Sequence, residues 1–178
     1  MNRRNSKYIH GFSRKTERII MKEVQYKYTG ARSLIELQKK HLRQFYKVWL
    51  TAKKNKIKLP KTSDEDYKSL ETLLFHVLRA SGRYITWICA KLELPDPGIE
   101  APPEVAKINK EAEKYINHVL SQWDGQLADI PEEKFHEPTY KSNWGVQYCI
   151  DAMLEHAVMH PIRHENQLKK LIRQQKKK

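Results

Sequence analysis

The stretch VQYCIDAMLEHAVMHPIRHENQLKKL, residues 146–171, decides the fold class. Apolar residues recur in it every three or four positions, which is the period of a helix that buries one face. The inward positions of this stripe are Val146, Ile150, Met153, Ala157, His160, His164, Leu168 and Leu171. Two of these eight positions are histidines. The stretch therefore predicts a long core helix that carries imidazoles into an apolar environment.

Three earlier segments have the same period, separated by clusters of Pro and Gly that break helices. The first stripe includes Leu34, Leu37, His41 and Phe45. We predict helices over residues 31–54, 64–92, 103–124 and 143–173. No segment alternates convincingly as a strand would. The sequence therefore predicts an all-α fold, a four-helix bundle.

Length and charge predict one domain with basic ends. The 178 residues suffice for a single core. Residues 1–60 carry 17 Lys/Arg and 3 acids, whereas residues 61–168 carry 11 Lys/Arg and 18 acids. We therefore predict a basic, flexible arm over residues 1–29, the bundle over 30–173 and a basic tail over 174–178. Nucleic acid is a weak alternative partner, because aromatic residues do not interleave with the terminal charges.

The sequence has neither a membrane-length apolar run nor the apolar region of a secretory signal. Its two cysteines, Cys89 and Cys149, lie in apolar helical contexts. This pattern fits reduced structural thiols better than a disulfide framework. We therefore predict a cytoplasmic protein that does not enter the membrane.

Three histidines are candidate metal ligands. His160 and His164 are one helical turn apart and point to the same side of their helix. His76 lies within the apolar run of residues 73–78. Burying several imidazoles together is costly unless each finds a partner, and a shared divalent ion supplies one. The alternative for His76 is a core-edge histidine that is hydrogen-bonded to a neighbour.

Other residues are candidates for supporting roles. His156 lies a further turn back, too far along a straight helix to share an ion with His164, so we predict that it supports a ligand or lines the pocket. His41 either lines the same pocket or is a core histidine with a hydrogen-bond partner. Glu165 is a weak catalytic candidate, as an orienting group or proton carrier. Aromatic residues that either wall the pocket or pack in the core are Tyr84, Trp87 and Trp144.

His76, together with residues 156–168, resembles the DinB/YfiT-like superfamily, whose pattern is a histidine in the second helix and HxxxH before a Gln-hydrophobic pair in the fourth. The resemblance implies an up-down-down-up bundle with a nickel or zinc ion held by His76, His160 and His164. It also implies a homodimer. The implied activity is hydrolysis, or thiol-dependent transfer or isomerisation, of a small and possibly thiol-linked molecule.

Pro161 departs from the family pattern. It removes a backbone hydrogen bond to the Ala157 carbonyl and tends to kink the helix, so the ion could instead take His156 and His160. The alternative function is a non-catalytic ligand-binding or interaction module with a relic or absent metal site. A cleft over the histidines that is open to solvent would favour the enzyme. A cleft that is filled by side chains would favour the non-catalytic module.

Overall fold

A computed structural model describes residues 24–175 of the protein. Its four long helices are α1 (Thr29–Lys54), α2 (Leu70–Lys91), α3 (Ile108–Trp123) and α5 (Ile150–Gln175). The shorter elements are a 3₁₀ turn (Glu65–Tyr67), the one-turn helix α4 (Glu133–His136) and the antiparallel strands β1 (Tyr140–Lys141) and β2 (Gln147–Tyr148). The predicted all-α class is confirmed.

Contacts at the helix ends give the direction of each helix. Beside the start of α1, the Tyr28 hydroxyl contacts Asp151 at the start of α5, and Gln175 at the end of α5 donates to the Asn55 carbonyl just after α1. The first and last helices are therefore parallel. The Trp49 indole near the end of α1 donates to the carbonyl of Leu70, the first residue of α2, at 2.6 Å. The second helix therefore runs back along the first.

The third helix runs in the same direction as the second. Asn109, near the start of α3, donates to Glu71, near the start of α2. Lys39 in the first half of α1 pairs with Asp124 just after the end of α3. The first and third helices are therefore antiparallel, and the topology is up-down-down-up, as the family resemblance implied.

The helix bounds differ from the prediction at three starts. Residues 64–69 were predicted as helix, but the Asp64 carboxylate accepts from the Asp66 amide and caps a separate 3₁₀ turn. The helix proper begins after Ser69, whose hydroxyl forms a capping box with Thr72. Residues 103–107 also lie outside regular helix, because α3 begins only at Ile108.

The largest correction concerns residues 143–149, which were predicted as the first turns of the last helix. They belong instead to the hairpin of β1 and β2, with Gly145 at a φ of +87° in its turn. Trp144 and Val146 are 49% and 47% exposed. Val146 therefore does not belong to the core stripe, and the expectation of no strand was wrong for these few residues.

The first helix also buries a slightly different face from the predicted one. Its buried positions are Ala31, Ile35, Gln38, Leu42, Phe45, Val48, Trp49 and Ala52, whereas Leu37 is exposed. The actual stripe leaves His41 only partly buried. The difference arises because three helices, α2, α3 and α5, pack against α1, and one apolar period does not specify which flank each neighbour covers.

No helix within residues 24–175 is long and apolar enough to cross a membrane. Within the predicted flexible arm, residues 24–28 contact the bundle. The Tyr26 hydroxyl accepts from the Gly125 amide, and the ring of Tyr28 lies 4.8 Å from that of Phe135. The rest of the arm, residues 1–23, and residues 176–178 of the predicted tail lie outside the described residues.

We expect Tyr28→Ala to lower the free energy of unfolding by about 2 kcal/mol, because it removes a half-buried aromatic ring from Phe135. Tyr28→Phe keeps the ring and should cost less than about 1 kcal/mol. Val24→Ala, at a side chain that is 44% exposed, is the control and should change little. Urea denaturation followed by circular dichroism measures all three. Equal stability of Tyr28→Ala and the parent chain would show that this segment does not support the bundle.

Candidate metal site

Three histidine rings meet between α2 and α5. His76 comes from the second helix, and His160 and His164 come from the fifth. One nitrogen of each ring lies within 4.8 Å of the others. The Nε2 atoms of His76 and His160 are 3.0 Å apart, and the ring centroids of His160 and His164 are 4.7 Å apart. The predicted convergence of these three side chains is therefore confirmed.

The last helix continues through Pro161 without a break. His160 and His164 stay one turn apart on the face that α2 covers, and both are buried. Pro161 itself is buried and leaves the pair facing His76. The alternative in which a kink turns His164 away from the site is therefore not the observed arrangement.

The Asp66 carboxylate orients the imidazole of His76. Its Oδ2 lies 2.8 Å from Nδ1 of His76, and its two oxygens each accept from Nη2 of Arg79 at 3.2 Å. A carboxylate accepts hydrogen bonds, so Nδ1 of His76 carries the proton and Nε2 presents its lone pair to the other histidines. Metal-binding histidines commonly have a carboxylate partner of this kind.

Gln167 orients the imidazole of His164 in the same way. Its Oε1 lies 3.0 Å from Nδ1 of His164, three residues earlier on the same helix. The amide oxygen accepts the Nδ1 proton, which leaves Nε2 of His164 as the lone-pair nitrogen. Two of the three rings are therefore held in the tautomer that a metal ion requires.

Burial keeps the α5 histidines neutral. His160 and His164 are 7% and 4% exposed. Burial, with the neighbouring His164 and His76 as smaller causes, lowers the pKa of His160 to about 2. Burial likewise lowers the pKa of His164 to about 4, against an opposing effect of the Gln167 hydrogen bond. Neutral imidazole is the form that binds metal, so the donor set fits a divalent ion.

A cavity of about 200 Å³ opens beside the histidines, with His76 and His160 in its wall. Its aromatic wall is formed by Tyr84, Trp87 and Trp144. The cavity shares several lining residues with a wider groove of about 1080 Å³ between α2 and the connection to α3. Two of the three histidines, His76 and His160, are therefore reachable from outside the bundle and are not plugged by side chains.

His156 lies at the edge of this site. Its ring stacks on Trp144 with centroids 5.5 Å apart and contacts the rings of Tyr84 and Tyr148 edge-on. Burial, and secondarily the charge of Arg163, lowers its pKa. It does not belong to the group of three converging rings. From this position His156 packs against the aromatic residues of the cavity wall and supports them.

The structure does not bring His41 or Glu165 to the cavity. His41 lies on α1, and its Nδ1 atom is buried without a hydrogen-bond partner among residues 24–175. The buried Glu165 carboxylate forms an ion pair with Lys169, one turn further along α5. Neither side chain lines the cavity beside His76 and His160.

Sequence reasoning missed Asp66, which lies within the predicted helix over residues 64–92 and was not among the candidate site residues. Its spacing of ten residues before His76 acquires meaning only through the 3₁₀ turn that folds it back over α2. The partner of His164 could have been predicted from the sequence, because Gln167 follows His164 by three residues, and residues three apart are neighbours on the surface of a helix. Arg79, which braces Asp66, follows His76 by three residues in the same way.

The family model described as the DinB family matches residues 34–175. The chain belongs to the DinB family. The matched segment includes all three converging histidines and most or all of the four long helices of this DinB protein. No curated protein and no solved structure matches the chain significantly.

We expect Asp66→Asn to weaken the binding of a divalent ion to this DinB protein by about 10–100-fold, because His76 loses the carboxylate that fixes its tautomer. Competition against a chromophoric chelator measures the affinity. Glu65→Gln removes the same charge from the adjacent, exposed position and serves as the matched control. Unchanged affinity in Asp66→Asn would contradict this role of the carboxylate.

Proposed function

We propose that this DinB protein is a metal-dependent enzyme that transfers a small thiol to an electrophilic substrate. The observation that carries the proposal is the set of three converging imidazoles, two of which, those of His76 and His160, lie in the wall of an open cavity. Three histidine ligands leave at least one position on a tetrahedral ion for a reactant, which is the pattern of catalytic rather than structural sites. Nickel and zinc are the proposed ions, since both suit imidazole nitrogen.

The proposed reaction follows from the chemistry that a metal ion at the three histidines would supply. His76, His160 and His164 would hold a divalent ion, and the ion would supply acidification of a small thiol, because a coordinating cation lowers the pKa of a thiol. The thiol proton passes to solvent, the sulfur electron pair forms a bond to an electrophilic carbon of the substrate, and the leaving group departs with the electrons of the broken bond. These reaction steps require no nucleophilic side chain from the protein.

Hydrolysis is another of the reactions that the family resemblance implied, and the cavity supports it less well than thiol transfer. Activation of water by a metal enzyme commonly uses a carboxylate as general base. No Asp or Glu is among the residues that line the cavity within the described chain. Asp66 is engaged by His76 and Arg79, and Glu165 by Lys169. A thiol needs less assistance than water, so thiol transfer is the better-supported reaction.

The protein's own residues would position the reactants. Asp66 and Gln167 hold two imidazoles in their ligand tautomer, as described above. Tyr84, Trp87 and Trp144 form an aromatic wall that excludes water from an electrophile. Burial raises the pKa of Tyr84 to about 12, so its hydroxyl stays protonated and can donate a hydrogen bond to a substrate.

The proposal includes a small-molecule substrate, a cytoplasmic location and a homodimer. Two half-buried or buried free thiols, Cys149 and Cys89, are compatible with a reducing compartment. The alternative, a non-catalytic module with a relic site, predicts that side chains plug the space over the histidines. The cavity beside His76 and His160 favours the enzyme over this alternative.

The test begins with protein purified without a histidine tag or a nickel column. We expect mass spectrometry to find about one nickel or zinc ion per chain. His160→Ala should lose the ion and all thiol consumption in the presence of glutathione and chlorodinitrobenzene, because it removes the central buried ligand. His156→Ala is the matched control on the same helix, and it should keep the ion while its rate changes by about 10–100-fold.

Two results of the same experiment would contradict the ligand assignment or the proposed activity. Loss of the ion in His156→Ala with retention in His164→Ala would reassign the ligands. A metal-loaded protein that consumes no thiol with any of several small thiols and electrophiles would favour the non-catalytic module.

A further inference from the structure

Arg83 is an exposed arginine at the junction of the site cavity and the wider groove. It lines both, together with Asn143 of the hairpin. No ion pair or side-chain hydrogen bond of its guanidinium is found among residues 24–175, whereas Arg79, one turn earlier, is engaged by Asp66. Arg83 therefore presents an unneutralised cation to whatever enters the cavity.

The spacing along α2 gives this cation a defined place relative to the histidines. Seven residues are close to two full turns, so Arg83 lies on the same face of the helix as His76, about 10 Å further along the axis. Arg79 lies between them on that face. A molecule that contacts both His76 and Arg83 therefore extends about 10 Å along this face.

The charged side chains that line the site cavity are all basic, whereas the wider groove also contains Glu100 and Glu104. The lining of the site cavity contains two arginines and no Asp or Glu within the described chain. The positive charge of Arg163 is close enough to perturb His160, His164 and Tyr84. The nearby carboxylate, Asp66, is already shared by His76 and Arg79. An anion therefore gains from this field, and a cation would be repelled.

Between Arg83 and the histidines the cavity wall is largely apolar. Tyr84, Trp87 and Met153 line it, and Trp144 covers it from the hairpin. This wall suits a short hydrocarbon or planar segment, not a strongly hydrated one.

We propose that the site takes a molecule with three parts: a metal-reactive head at the histidines, a short apolar middle against the aromatic wall, and an oxyanion such as a carboxylate held by Arg83. The planar guanidinium fork matches the two oxygens of a carboxylate, and the Asn143 amide adds a further donor at the same mouth. This inference rests on the proposed function, since it names the class of reactant for that site.

The experiment uses the Co²⁺-loaded protein, because a thiolate bound to Co²⁺ gives a charge-transfer absorption band. The probes are ω-mercaptocarboxylic acids with two to five methylene groups, the ω-mercaptoamides of the same lengths, and the matching sulfonates. Each amide keeps the thiol and the chain and removes only the charge. We expect the best carboxylate to bind at least about tenfold more tightly than its amide.

Variants then assign the preference to one side chain. Arg83→Gln should abolish the preference for carboxylate and leave the affinity for the amide unchanged. Arg83→Lys should restore part of it, since the charge returns without the fork. Arg173→Gln, at an exposed arginine near the far end of α5, removes the same charge elsewhere and should keep the preference. A sulfonate that binds as well as the carboxylate would also support an oxyanion site, since both groups present two oxygens to the guanidinium fork.

Two results would overturn the inference: equal binding of carboxylate and amide by the parent chain, or a carboxylate preference that survives in Arg83→Gln. A chain that binds Co²⁺ but gives no band with any probe contradicts the thiol reaction instead. Calorimetry with the same carboxylate and amide pair then still measures whether Arg83 selects the anion.

Discussion

The cost of burying imidazoles together governs this structure. Transfer of polar rings from water into a helical core is unfavourable unless their hydrogen-bonding groups are satisfied. Here Asp66 and Gln167 each take one Nδ1 proton, and one nitrogen of each of the three rings lies within 4.8 Å of the others. Burial keeps His160 and His164 uncharged. Burial of the imidazoles is unfavourable in free energy, and the same burial keeps those of His160 and His164 in the neutral form that coordinates a cation.

The antiparallel packing of α2 on α5 supplies the ligands, and the irregular connections supply what surrounds them. The 3₁₀ turn before α2 brings Asp66 to the histidines, and the hairpin before α5 brings Asn143 and Trp144 to the cavity. The regular helices fix the distances between the rings. The connections are free to vary, so they are the parts of this bundle that adapt one site to a particular reactant.

Local charge at the site differs from the charge of the chain. Most of the excess positive charge belongs to residues 1–60 and to the last ten residues, whereas the segment from residue 61 to 168 is acidic. Within that acidic segment the cavity carries arginines. Arg79 is neutralised by Asp66 and serves the histidine, while Arg83 faces the groove. Neighbouring arginines on one helix face can therefore have different roles.

The sequence by itself determined the four long helices and placed His160 and His164 on one face of the last of them, because helical periodicity and i, i+4 spacing are local properties of the chain. Tertiary structure alone decided that Asp66 braces His76, that His41 and Glu165 stay away from the cavity, and that residues 143–149 form a hairpin turn instead of a helix. Some of these outcomes depend on side chains that are distant in sequence. Others depend on which of two nearby capping residues begins the helix: Asp64 caps the 3₁₀ turn, and Ser69 caps α2. A local pattern contains neither kind of information, since the packing of distant segments selects among several locally acceptable conformations.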